Sequence, residues 1–257
     1  MSKLKELLLT KKKIRVANFD IGTVNFAHFV DDFRVSSLKR LSLRYSSLPK
    51  KKQRKTGGPM IPEIQRILNR LYKCSKRIDY GLKKIRFYDI KNCPIDIKTR
   101  IKLFDYLDEK KDVWDLCDAF IIEQQYFKTF SPKGKKNKGS EANIIAIKLA
   151  ECVCSYFLMN YPDKITDFIP SDYKVYALGC PRKMTKAKRK KWSEVHMKEK
   201  LLLQGDKELY DIASFKHPRR KKGEPEREKI KWDDIADMYN QSKAFAYMYI
   251  ICENYFE

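Results

Sequence analysis

The chain has 257 residues, 43% of them hydrophobic, enough for one large α/β domain with a buried core and too apolar for wholesale disorder. Lys and Arg number 56 against 33 Asp and Glu, and the formal charge of +23 points to a polyanion, nucleic acid before all others, as partner. Seven cysteines without a CxxC pair lack zinc-finger spacing and make a poor disulfide framework, so free thiols in a reducing compartment are expected.

No run resembles a signal peptide: Leu7-Leu8-Leu9 is too short for an apolar core, and Ala244–Cys252 falls short of a membrane span. A soluble, cytoplasmic rather than secreted protein is the expectation. Residues 1–13 read as a basic extension and 14–257 as a single domain. Ile14 to Phe19 is an extended run that ends in Asp20-Ile21-Gly22. Strands are expected through Ala27 to Val30 and Val35 to Leu43, an antiparallel meander entered from a buried first strand. Residues 46–59 form a basic, Gly-containing insertion. From Pro62 to Ser75 a helix is expected, because Ile64, Ile67, Leu68, Leu71 and Tyr72 share one face. Lys84 to Ile90 alternates like a strand, and Lys98 to Leu107 has helical spacing.

Ala119 to Ile122 reads as a short buried strand with Glu123 at its tip, followed by a basic loop over Ser131–Gly139. Ser140 is placed to cap a helix running to Leu158, and Ile165 to Ile169 suggests a further strand. Lys186 to Leu203 is a very basic helix, residues 216–229 a second charged insertion, and Lys231 to Tyr255 a closing helix. Early strands followed by alternating β and α units give an α/β fold: a mixed sheet flanked by helices.

Acidic residues stand at the ends of these elements. Asp20 and Glu123 each close a strand, and Asp234 and Asp237, three apart, project from one face of the last helix beside its core stripe. Two-metal phosphodiester hydrolysis needs several oxygen ligands in one small volume, and Mg²⁺ takes carboxylates without requiring His. Each residue also has an ordinary reading. An Asp before Gly commonly marks a turn, a strand-end Glu is commonly solvated, and Asp residues in a first helical turn commonly serve the helix dipole. The combination favours the metal site.

At these residues "VANFDIGTVNFA", "AFIIEQQYF" and "KWDDIADMYNQSKAF" resemble, in order, the motifs of RuvC-type Holliday-junction resolvases, closest to the poxvirus and mitochondrial branch. The resemblance implies a ribonuclease H-like fold and a homodimer that nicks four-way DNA junctions symmetrically with Mg²⁺, two ions per site, Mn²⁺ substituting. It implies that Asp20, Glu123, Asp234 and Asp237 hold the metals and that Lys231 lies near the scissile phosphate. It also implies an aromatic wedge at the junction centre, matched by Tyr126 with Phe127 beside it. These rings have an equal reading as packing under the next loop. The insertions near 46–59 and 216–229 depart from compact members of the family and open the substrate to other branched DNA.

Lys186, Lys188, Arg189, Lys190 and Lys191 are expected to bind phosphate, although they cannot all share one helix face. Three rival functions remain. "FDIGT" also resembles the phosphate turn of actin-like ATPases, yet only nine glycines occur and no GxGxxG or Walker-type loop is present. A catalytically silent junction-binding protein would have no need of four filled acidic positions. A transposase would bring DNA-recognition domains for which little chain is left.

Overall fold

The computed structural model describes residues 2–22, 24–53, 60–85, 97–125, 139–215 and 231–256. Helix α1 (Ser2–Thr10) buries Leu4 and Leu8 in the core, so the basic stretch before residue 14 carries a packed helix. Strand β1 (Lys13–Ile21) turns back into β2 (Asn25–Arg34). The Gly22 N–H donates to the Asn25 carbonyl at 2.9 Å, and a Cβ on Gly22 would stand 3.0 Å from that oxygen. The close turn therefore favours glycine.

Where a third strand was expected, over Val35–Leu43, the chain forms helix α2 (Val35–Ser46). Leu41 and Leu43 mimic strand alternation, but Leu43 is exposed, while Val35, Leu38, Leu41 and Tyr45 form a buried stripe at helical spacing. Helix α3 (Pro62–Cys74) forms as expected, with Pro at its start and the five apolar side chains buried. The third strand is β3 (Ser75–Lys84), with Ile85 buried just beyond it. The strand expected over Lys84–Ile90 thus lies earlier in the chain, and residues 86–90 lie outside the described residues. Apolar content does not reveal β3. Its Gly81 is required instead, because a Cβ there would meet the Tyr106 hydroxyl at 2.5 Å and the His28 ring at 2.6 Å.

Helices α4 (Ile97–Glu109) and α5 (Lys111–Asp115) lead to β4 (Ala119–Gln124), α6 (Gly139–Asn160) and β5 (Ile165–Pro170). The short α7 (Tyr173–Tyr176) follows, then α8 (Lys186–Gln204), α9 (Lys207–Ser214) and α10 (Trp232–Phe245). A π-helical segment, Ala246–Ile251, continues α10. The five strands lie in the order β3-β2-β1-β4-β5; β1 is antiparallel to β2 and parallel to β4, and β4 is parallel to β5.

The sheet separates two apolar clusters. Val16, Phe29, Phe33 and Ile121 face α2, α3, α8 and α10, while Phe19, Phe26, Phe120 and Ile122 face α4, α5 and α6. Phe120 stacks on Phe157 of α6 at 3.9 Å. The result is an α/β fold with a mixed sheet between helical layers. Among the described residues no helix is long and apolar enough to cross a membrane, and the six cysteines are free thiols.

Candidate active site

Strand parity decides where the first two carboxylates point. Ile14, Val16 and Asn18 of β1 precede Asp20 in steps of two, and Ala119 and Ile121 of β4 precede Glu123 likewise; Ile14, Val16, Ala119 and Ile121 lie in the cluster under α10. Phe19 pairs with Ile122 in the parallel ladder, so Asp20 and Glu123 emerge side by side at the carboxyl ends of neighbouring strands. Helix α10 brings its first turns over this edge. It is held to β4 by Gln241, whose Nε2 donates to the Ile121 carbonyl at 3.1 Å.

The centre of the cluster is a residue that sequence reasoning missed. Lys174, on α7 just after β5, places Nζ 2.8 Å from Glu123 Oε2, 3.0 Å from Asp237 Oδ2 and 3.9 Å from Asp20 Oδ2. Register explains the approach: Glu123 pairs with Ile169 at the end of β5, so the next turn of chain crosses the same edge. Burial works against the Lys174 charge, but Asp237, Glu123 and Asp20 outweigh it and raise its pKa well above the usual lysine value. Burial first, and then the Glu123 charge, push the Asp20 carboxyl well above the ordinary range. The short segment Ser171-Asp172-Tyr173-Lys174 carries no pattern that would single out this lysine.

Asp234 and Asp237 do not have the same partners. Ser193 Oγ donates to Asp237 Oδ1 at 2.7 Å. Asp234 accepts from Asn25 Nδ2 at 3.2 Å, with Lys231 Nζ 3.4 Å away and Lys190 Nζ at 3.9 Å. Burial, then the charges of Asp20 and Asp233, raise the Asp234 pKa. Asp233, which lies off that face, pairs with Lys190, and this lysine outweighs burial in lowering its pKa. Asn25 was legible in principle, because it lies inside the same short motif as Asp20.

A cleft of about 420 Å³ opens over the cluster, with Glu123, Lys174 and Asp237 inside and Lys186, Arg189 and Lys190 of α8 along its wall. Their spacing of three and one puts these three cations on one helix face with Ser193. Lys188 and Lys191 are exposed and do not line the cleft. Tyr126 and Phe127 lie outside the described residues.

The donor set suits a hard divalent cation by type: carboxylate oxygens from two strands and a helix, around a point already held by a cation. As the side chains stand, no group of three or more His, Cys, Asp or Glu among the described residues is arranged to hold a metal ion. The Lys174 ammonium occupies the middle instead.

The uncharacterized protein 97L of Invertebrate iridescent virus 3 is 28% identical over 186 residues, covering 69% of this chain and 81% of that protein. No protein-family model and no solved structure match the chain.

Proposed function

We propose that the chain is a Mg²⁺-dependent endonuclease of the RuvC type that resolves four-way and related branched DNA. One observation carries the reading: Asp20, Glu123 and Asp237 gather within 4 Å of one ammonium at the sheet edge, with Asp234 adjoining on α10. The mixed sheet between two helical layers supports a ribonuclease H-like fold, and the order of the three motifs agrees with it. A carboxylate centre repels DNA unless a basic surround offsets it, and Lys186, Arg189 and Lys190 supply that surround.

Asp20, Glu123, Asp234 and Asp237 would hold the metal. Bound there, Mg²⁺ would activate the attacking water and offset charge on the leaving oxygen. The protein's own part is to fix four carboxylates on rigid elements, hold Asp237 by Ser193 and Asp234 by Asn25, and lay the phosphate backbone along α8. Paired nicks need two such centres, so a homodimer belongs to the reading. The free thiols support a reducing, intracellular setting.

The contacts of Lys174 favour one second reading. If the ammonium balances the carboxylates permanently, the chain binds junctions and cuts nothing. Glu123→Gln and Asp237→Asn separate the two. The nuclease reading expects each to cut cleavage of a labelled junction by about 10²–10³-fold while binding changes little, a loss typical of removing one group that stabilises a transition state. Wild-type protein that binds the junction and cleaves nothing in Mg²⁺ or Mn²⁺ establishes the silent reading.

A further inference from the structure

A second concentration of positive charge lies at the opposite end of the sheet. Asn25 opens β2 beside Asp234, and Arg34 closes it, about 30 Å away along the strand. At that far end Arg34, Arg40 of α2, Arg70 and Lys73 of α3, and Lys76 of β3 line a cleft of about 420 Å³. Among the described residues no carboxylate lines it; Ser37 and Ser75 are its hydroxyl side chains. Arg34, Arg70, Lys73 and Lys76 are exposed and have no ion-pair partner among the described residues. Among the described residues Arg40 donates only to Ser37 Oγ, at 3.3 Å.

The contrast with other basic residues nearby is informative. Lys13 and Arg15 share Asp32, and Arg77 is matched by Asp206 and Glu208. Five cations from four elements line one concavity, and like charges gathered there repel one another unless an anion joins them. A surface serving solubility alone spreads such charges apart. Arg34, Cys74 and Lys76 also line a neighbouring cleft of about 820 Å³, which adds Lys12 and Lys39 beside Lys11 and Lys13, these two paired with Asp118 and Asp32, and an apolar part from Leu8, Leu9, Val35 and Phe256. Through the shared Arg34 and Lys76 the unpaired positive surface extends from the first cleft to Lys12 and Lys39, which leaves room for more than one phosphate.

We propose that this far cleft is a second phosphodiester-binding site, taking the backbone of a nucleic-acid arm distant from the carboxylate centre. Three exposed arginines supply planar donors that bind phosphate oxygens in pairs. Two linked clefts match the repeating charge of a polymer better than one small anion. The 30 Å between the ends corresponds to about nine base pairs of duplex at 3.4 Å each. The proposal takes DNA as the polymer from the nuclease reading, but binding through this cleft requires no cleavage.

The test is the salt dependence of binding a fluorescent 40-base-pair duplex and a long-armed four-way junction, in chelator. Wild type is compared with R34A/R40A/R70A/K73A and with a control that removes four exposed cations elsewhere, K5A/K98A/R100A/K111A. The cleft variant is expected to weaken binding at least tenfold near 0.1 M salt. The slope of log K against log salt should fall by about 2–4, since each phosphate contact contributes roughly 0.9. Equal losses in the two variants would reduce the cleft to net charge and overturn the proposal, as would an unchanged slope. Micromolar binding of pyrophosphate, lost in the cleft variant while its DNA slope stays at the wild-type value, would also overturn it. Because chelator suppresses metal-dependent cleavage, a failed nuclease assay leaves this result standing, and the reverse holds equally.

Discussion

Lys174 places one positive charge among three largely buried carboxylates, and that balance of charge bears on stability. Removing one partner of a buried ionic cluster typically costs about 3–5 kcal/mol, because the remaining charges lose their compensation. Lys174→Met should therefore lower the melting temperature in chelator by roughly 6–20 °C, taking about 2–4 °C per kcal/mol for a chain of this size. Millimolar Mn²⁺ or Mg²⁺ should raise the variant's melting temperature more than the wild type's, since the metal then has no ammonium to displace. Calorimetry with and without metal measures both. A variant as stable as wild type in chelator, with the same response to metal, would show that Lys174 does not govern the centre. A second ionisable residue reports on pH. His196 of α8 is buried against Trp192 and Tyr72, and burial lowers its pKa to about 4 despite its contact with Asn240 Oδ1 at 3.0 Å. The folded imidazole stays neutral while the unfolded one protonates below about 6.5. Stability is therefore complete above pH 6.5 and lost as the pH falls towards 4. Urea midpoints between pH 7 and 4 should fall more steeply for wild type than for His196→Gln, and parallel curves would remove His196 as the cause.

The last helix is the element on which the site depends. Its first turn carries Asp234 and its second Asp237, while further along Lys243 forms a fully buried pair with Asp31 of β2 at 2.6 Å. Lys243 also lies over the rings of Phe29, Phe33 and Tyr239. Burial lowers the Lys243 pKa, and Asp31 opposes that fall. Lys243→Met leaves the Asp31 charge buried without its counter-ion, although the Ser242 hydroxyl still donates to it, so a loss of about 3–5 kcal/mol is expected in urea unfolding. Asp31→Leu added to it should recover part of that loss, whereas equal instability of single and double variants would argue against the pair as the anchor. Much of this level was legible in the sequence. The stripe of α3, the helical run of α8, the apolar run of β4 and the Asp pair on α10 follow from the local sequence. The elements misplaced were α2 and β3. The first has two alternating leucines of which tertiary packing buries only Leu41; the second is a polar edge strand specified by pairing with β2 and by space beside His28. Lys174 was not legible, because its role arises from the register of β4 against β5 rather than from any pattern near it.

Across the whole molecule the charge of +23 is unevenly used. At one end of the sheet cations border an acidic cleft, and at the other they line a cleft to which no described acid contributes. Under the proposed nuclease function, separate arms of a branched substrate would engage the two ends. The proposed function rests on the convergence of three distant segments: Asp20, Glu123 and the Asp234/Asp237 pair of α10 meet at the carboxyl ends of β1 and β4. The most direct measurement is cleavage of a labelled synthetic four-way junction beside a matched linear duplex, in Mg²⁺, by wild type and by Asp20→Asn. The expected result is paired symmetric nicks in the junction, little cutting of the duplex, and loss of cleavage with junction binding retained in the variant. Tight junction binding with no cleavage by wild type, or cleavage undiminished in Asp20→Asn, would contradict it.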